Sequence, residues 1–168
     1  MSEIESAKLI YKILQGLNHI HNVSVVHRDL KPENLIVSDE GNPKIIDFGL
    51  SKDTITSTRM LKSFVGSKLY MAPEILEGIG HTHTCDMWSV GIILFLTLSG
   101  AYPFNLKNLD QEIKSAPIFF PDGMWSSISQ LCKSFILSLL ERDHIKRLTS
   151  SQALKHPWFK ILDNPNNF

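Results

Sequence analysis

"VVHRDLKPENLIV", residues 25–37, sets His27, Arg28, Asp29, Lys31, Glu33 and Asn34 between two apolar runs. A second run, "PKIIDF" at 43–48, follows "DEGN", a turn composition. Short β-rich segments on either side of turn residues predict an antiparallel hairpin, here with a polar cluster at its mouth. Outward from this hairpin the chain reads as helix. Over residues 2–21, Ser2 and Glu5 stand at capping-box spacing, and Ile10, Ile13, Leu14, Leu17 and Ile20 recur every three or four positions. A buried helix is predicted over 84–99, stopped by Gly100 and Pro103, and three more over 105–115, 126–140 and 150–156. Residues 50–83, rich in Ser, Thr, Lys and Gly, read mostly as loop. The fold class is mainly α with one small β-hairpin.

Composition narrows the function. The chain has 168 residues, enough for one domain with a real core. Seventeen Lys and Arg balance seventeen Asp and Glu, so no overall field recruits nucleic acid or an anionic membrane. "VGIILFLTL" at 90–98 is too short to span a bilayer. Cys85 and Cys132 match no redox or metal spacing, and the N-terminus carries no signal-peptide pattern, so an intracellular, cytoplasmic protein is expected. His81, His83 and Cys85 alternate, but no fourth ligand cluster accompanies them. Trp88, Trp125 and Trp158 suit helix packing better than a ligand box, and Lys107 and Lys114 suit a solvated face.

The polar cluster carries the chemistry. In a two-stranded hairpin, Asn34 at the entry and Asp47 at the return come close to each other and to Asp29. Hard oxygen ligands of that kind suit Mg²⁺, which binds one or two carboxylates and completes its shell with phosphates. An uncoordinated Asp29 can accept a proton from a hydroxyl, and Lys31 can neutralise a transferring phosphoryl group. Taken singly, each of these residues reads better as a turn former or cap; the ensemble in this order does not.

As a set, "HRDLKPEN", "DFG" and "MAPE" resemble the signature of the protein kinases. The likeness runs over residues 2–160: "CDMWSVGIIL" resembles the family's central helix, Arg147 its late arginine, and "ALKHPWF" its last helix. Lys31 within "DLKPEN" suggests Ser/Thr specificity, and residues 129–159 are similar to the calcium/calmodulin-dependent and calcium-dependent branch. The resemblance implies a kinase C-lobe over 1–160, with a catalytic loop at 27–34 and an activation segment at 47–74, followed by a short tail at 161–168. It implies ATP and Mg²⁺ as cofactors and a protein substrate. Asp29 becomes the catalytic base, Lys31 the γ-phosphate contact, and Asn34 and Asp47 the metal ligands. Leu35 and Ile36 floor the adenine. His27 and Phe48 stack in a spine whose base Asp86 anchors, and Glu74 pairs with Arg147.

Regulation and specificity follow from the same resemblance. Arg28 is a ready partner for a phosphorylated activation segment, in which Ser63 is the family-equivalent site among Thr54, Thr56, Ser57, Thr58 and Ser63. Ser67 is placed to contact Asp29 and Lys31. Glu33 is placed to meet an Arg of a basic substrate, although Leu96 stands where some basophilic kinases carry an acid, and Lys68 departs from the branch's usual residue. No G-x-G-x-x-G loop, no V-A-I-K lysine and no calcium-binding loop occurs, so the N-lobe is expected to be absent from these residues. Exposed apolar surface is then expected at the cleft, covered by the missing lobe or a partner chain. Two readings stay open: a catalytic half of a Ser/Thr kinase, weakly active or inactive alone, or a stand-alone lobe that binds a substrate or regulator without catalysis.

Overall fold

The computed structural model describes residues 1–50, 68–80 and 82–163. Helix α1 spans Glu3–Asn22. Its start is a complete capping box: the Ser2 hydroxyl accepts from the Glu5 amide at 3.2 Å, and the Glu5 carboxylate accepts from the Ser2 amide at 2.8 Å. Ser6, Ala7, Ile10, Ile13, Leu14 and Leu17 form its buried face. Each large apolar side chain buried there stabilises the fold by about 1.5–3 kcal/mol.

Strands β1 (Leu35–Val37) and β2 (Pro43–Ile45) form the antiparallel hairpin, with Leu35 opposite Ile45 and Val37 opposite Pro43. The hairpin lies on α1. Gly16 makes this approach possible, because a Cβ there would stand 3.3 Å from the Ile45 side chain. Lys12 holds the hairpin's tip, donating to Gly41 O at 3.2 Å and Asn42 Oδ1 at 2.7 Å.

Within 68–80, read from sequence as loop, a short helix α2 forms at Pro73–Leu76, with the proline where its missing N–H costs nothing. Helix α3 (His83–Ser99) is buried on nearly every side, and Gly100 ends it in the left-handed region at φ 68°. The helix expected at 105–115 opens as a 3₁₀ turn, Leu106–Asn108, because Asn105 caps the Lys107 amide; α4 proper is Leu109–Ser115.

The helix expected at 126–140 is split. Met124–Ser127 is a separate 3₁₀ turn, and α5 runs Gln130–Leu139. The break is a tertiary effect: Glu3 accepts from the Ser129 amide at 2.8 Å and the Ser129 hydroxyl at 2.6 Å, which holds Ser129 extended as the cap of α5. Helix α6 (Ser150–Ala153) also stops short of residue 156. Pro157 disfavours helix in the residue before it, and a 3₁₀ segment, Pro157–Asp163, follows. That segment carries Ile161 and Leu162 against the core; residues 164–168 lie outside the described range.

The core lies where α1, α3, α5 and the last 3₁₀ segment meet. Trp88 stacks on Phe104 with planes 4° apart, Phe135 packs against Trp158 and Phe159, and Trp125 packs against Phe95. All three tryptophans are packing anchors at these positions. No described helix is long and apolar enough to cross a membrane.

Candidate active site

The site is built on one carboxylate. Asp86, in the first turn of α3, is buried and accepts from the His27 amide on Oδ2 at 2.9 Å and from the Arg28 amide on Oδ1 at 2.8 Å. This two-point grip holds Arg28 at φ 72°, a left-handed conformation that costs a non-glycine residue about 1–3 kcal/mol. The chain then turns so that the Asp29 amide donates to Nδ1 of His27 at 3.3 Å. Nδ1 is therefore an acceptor, and Nε2 carries the proton shared with Ile46 O at 2.9 Å. His27, fully buried, thereby ties the loop to the far side of the hairpin.

The hairpin brings the rest together. The Ile46 amide donates to Asn34 O at 2.9 Å, extending the ladder one step past the strands and placing Asp47 next to this link. Asn34 is buried, and its Nδ2 donates to Asp29 O at 2.7 Å and to Asp29 Oδ2 at 3.3 Å. Lys31 Nζ lies 2.7 Å from the same Oδ2, and each partner of that pair is 19 % exposed. The carboxylate of Asp29 thus sits within reach of solvent, with an ammonium and an amide on one oxygen.

Asp47 is exposed, at φ 59°, and its Oδ1 accepts from the Gly49 amide at 3.2 Å. Phe48 meets the His27 ring edge-on at 5.0 Å. Ile36 is exposed, as are Val37 and Glu33, so the hairpin presents an open apolar edge beside the cluster. Asn34 spends its amide nitrogen on Asp29, which leaves its oxygen to accept; that oxygen and the Asp47 carboxylate are both hard donors. Oxygen donors of that chemistry suit Mg²⁺. Among the described residues, no group of three or more His, Cys, Asp and Glu side chains forms a metal site. Burial pushes the Cys85 thiol well above its ordinary range, and His81 lies outside the described residues.

Behind the site, Arg147 and Glu74 are buried together. Nη1 and Nη2 of Arg147 donate to the two Glu74 oxygens at 2.6 and 2.8 Å. The remaining donors go to Thr84 O, Glu141 O and Arg142 O, so all five N–H groups are placed, and the guanidinium lies 5.2 Å from the Trp88 ring centre. Ser63 and Ser67, with Thr54, Thr56, Ser57 and Thr58, lie outside the described residues.

Sequence reasoning missed several groups. His21, at the end of α1, meets Asp86 through Nε2 and the Ser150 hydroxyl at the start of α6 through Nδ1; the signal for His21 is a polar residue ending an apolar helix stripe. The Tyr70 and Tyr102 hydroxyls bond at 2.8 Å, and burial pushes the Tyr70 hydroxyl well above the ordinary tyrosine range. Lys68 pairs with Asp110 at 2.7 Å, a contact no local pattern announces.

Comparison with known proteins fits this geometry. Residues 1–159 match the family described as the protein kinase domain. The chain is 40 % identical over 99 % of its length to myosin light chain kinase A of Dictyostelium discoideum, of which it covers 58 %. It is 39 % identical over 95 % of its length to the calcium/calmodulin-dependent protein kinase cmkA of Emericella nidulans, covering 40 % of that protein. It is also 39 % identical over 97 % of its length to CDPK-related kinase 4 of Arabidopsis thaliana, covering 28 %. The chain therefore spans about half the length, or less, of these curated relatives. A match across nearly all its residues places this chain in the protein kinase family, on the side of the calcium/calmodulin-dependent serine/threonine kinases.

Proposed function

We propose that these residues are the helical, catalytic half of a Ser/Thr protein kinase, with the lobe over 1–160, the catalytic loop at 27–34 and the activation segment at 47–74. What carries the reading is Asp29: a solvent-reachable carboxylate held by Asn34 and Lys31 on a loop strained at Arg28 and gripped by Asp86.

In this mechanism a substrate Ser or Thr hydroxyl donates its proton to Asp29 as its oxygen bonds to the γ-phosphorus of ATP and the bond to ADP breaks. Lys31 supplies positive charge to the γ-phosphoryl oxygens. Asn34 and Asp47 would hold Mg²⁺, which when bound neutralises charge on the ATP phosphates. Leu35 and Ile36 floor the adenine, and His27 packs behind Phe48 to keep Asp47 turned toward the cluster. Glu33, exposed beside the loop, attracts a basic residue of the substrate protein. Ser67 is assigned to the substrate side, toward Asp29 and Lys31, and Ser63 is assigned as the site whose phosphate would pair with Arg28.

The test is transfer of labelled γ-phosphate from Mg²⁺-ATP to a basic serine peptide by the native polypeptide that carries these residues. Asp29→Asn is expected to lower the rate by roughly 10²–10⁴-fold with peptide binding kept. A wild-type protein that binds the peptide and transfers nothing would instead favour a non-catalytic substrate-binding lobe.

A further inference from the structure

Lys68 opens the stretch that runs into α2, and that stretch has a firm base. The Ser89 hydroxyl of α3 donates to Tyr70 O at 2.8 Å, the Met71 amide donates to Lys68 O at 3.2 Å, and Arg147 holds Glu74 just beyond. The Tyr70 hydroxyl meets that of Tyr102 at 2.8 Å. It is pushed up chiefly by burial, then by the bond to Tyr102, and also by the negative charge of Glu33. Glu33 belongs to the 3₁₀ turn Pro32–Asn34, directly after Asp29 and Lys31. Its influence on Tyr70 sets the 68–72 stretch beside the loop that carries Asp29.

From this base the Lys68 side chain reaches out to α4. Its Nζ lies 2.7 Å from Oδ1 and 2.8 Å from Oδ2 of Asp110, and the two side chains are 37 % and 57 % exposed. An ion pair this open to water contributes little to stability, so little is lost when its partner changes. An ammonium also carries three N–H donors, and the two oxygens of Asp110 take at most two of them. A second acidic group can therefore share Lys68 with Asp110 or replace it. Helix α4 does not depend on that contact alone. Lys114 pairs with Glu77 at 3.8 Å, which ties α4 to the end of α2 with the opposite polarity. Beside the catalytic loop there are thus two accessible charges of opposite sign, Glu33 and Lys68. They suit a substrate segment that carries both signs near its hydroxyl, rather than a uniformly basic one.

We propose that Lys68 is a specificity-determining residue for the protein substrate: its ammonium binds an acidic side chain close to the acceptor serine or threonine, sharing or exchanging the carboxylate of Asp110. The effect on phosphoryl transfer rests on the catalytic reading above; the effect on substrate binding does not.

The experiment uses the native polypeptide and a basic serine peptide in which one Glu, or one Gln at the same place, is stepped through about three positions on each side of the serine. Wild type is expected to prefer Glu over Gln at one of these positions by roughly three- to tenfold in kcat/KM, mostly through KM, and to lose that preference in about 0.5 M salt. Lys68→Gln removes the preference, Lys68→Glu turns it against Glu, and Asp110→Asn strengthens it. The readout is a ratio between peptides, which partial unfolding of a variant does not move. No position at which wild type prefers Glu, or the same profile in Lys68→Glu as in wild type, overturns the proposal. Binding of the same peptides, labelled and without ATP, is followed by fluorescence anisotropy. If wild type transfers no phosphate, the catalytic reading fails alone: a binding preference for Glu that Lys68→Gln abolishes sustains the role of Lys68, and equal binding of both peptides sinks it. Should the Lys68 variants not fold, an unchanged preference in Asp110→Asn overturns the proposal and a stronger one sustains it.

Discussion

Arg147 holds Glu74 through two parallel N–H···O bonds of 2.6 and 2.8 Å, with both side chains no more than 2 % exposed. The pair joins the short helix α2 to the segment before α6, 73 residues apart in the chain. A buried pair of this kind contributes little beyond what a packed apolar pair would, yet losing one member strands the other's charge away from water.

Glu74→Ala and Arg147→Ala are each expected to cost about 3–5 kcal/mol, read as a drop in melting temperature. The double variant should fall well short of the sum, because no lone charge remains. Full additivity, or no loss in either single variant, would show that the pair is not an isolated unit.

Asn34→Ala separates stability from rate. It removes two hydrogen bonds to Asp29, worth about 1–3 kcal/mol of stability together. It also removes one proposed metal-ligand oxygen. The rate at saturating Mg²⁺-ATP should fall by more than about 100-fold, beyond the effect of partial unfolding. Equal falls in rate and folded fraction would argue against a direct role.

Gly91→Ala tests the packing of α3 on α5. A Cβ at 91 would meet Leu140 Cδ2 at 2.7 Å, Leu140 Cγ at 2.9 Å and Leu139 Cβ at 3.0 Å. Alanine's better helix propensity offers up to about 1 kcal/mol, but overpacking of this tightness costs about 1–3. Net destabilisation is expected in urea unfolding; a stabilised variant would mean that the Leu139–Leu140 corner yields easily.

The pH dependence has a definite sign. His83 and His156 are held below the ordinary histidine value, chiefly by burial; at His83 the neighbouring His21 adds to the lowering and Asp86 opposes it. Such a histidine takes up its proton more readily in the unfolded chain. Its stability contribution is therefore full above the unfolded value near 6.5 and is lost as pH falls from there toward the folded value. Melting temperature should decline on acidification through that window, and His156→Phe, beside the Phe135 ring at 4.8 Å, should flatten the slope. A variant with the wild-type slope would remove His156 from the account.

How much was legible beforehand differs by residue. The hairpin, the capping box of α1 and the end of α3 at Gly100 were readable because their causes are local: turn composition, a side chain three positions away, and a backbone angle suited to glycine. The cluster of Asp29, Lys31 and Asn34 was readable for the same reason, since its members lie within six consecutive residues. The break before α5 was not, because Ser129 is held by Glu3, 126 residues away. The early end of α6 has a local cause in Pro157, but the 3₁₀ segment after it, which buries Trp158 and Phe159, was not readable. The same holds for His21, Ser150 and Asp86, which no spacing connects. The sequence by itself determined which groups could carry the chemistry and the short hairpin that presents them. Only the tertiary structure decided which buried side chains hold that hairpin's loop in its strained turn, because a hydrogen bond between distant helices leaves no periodicity in the chain.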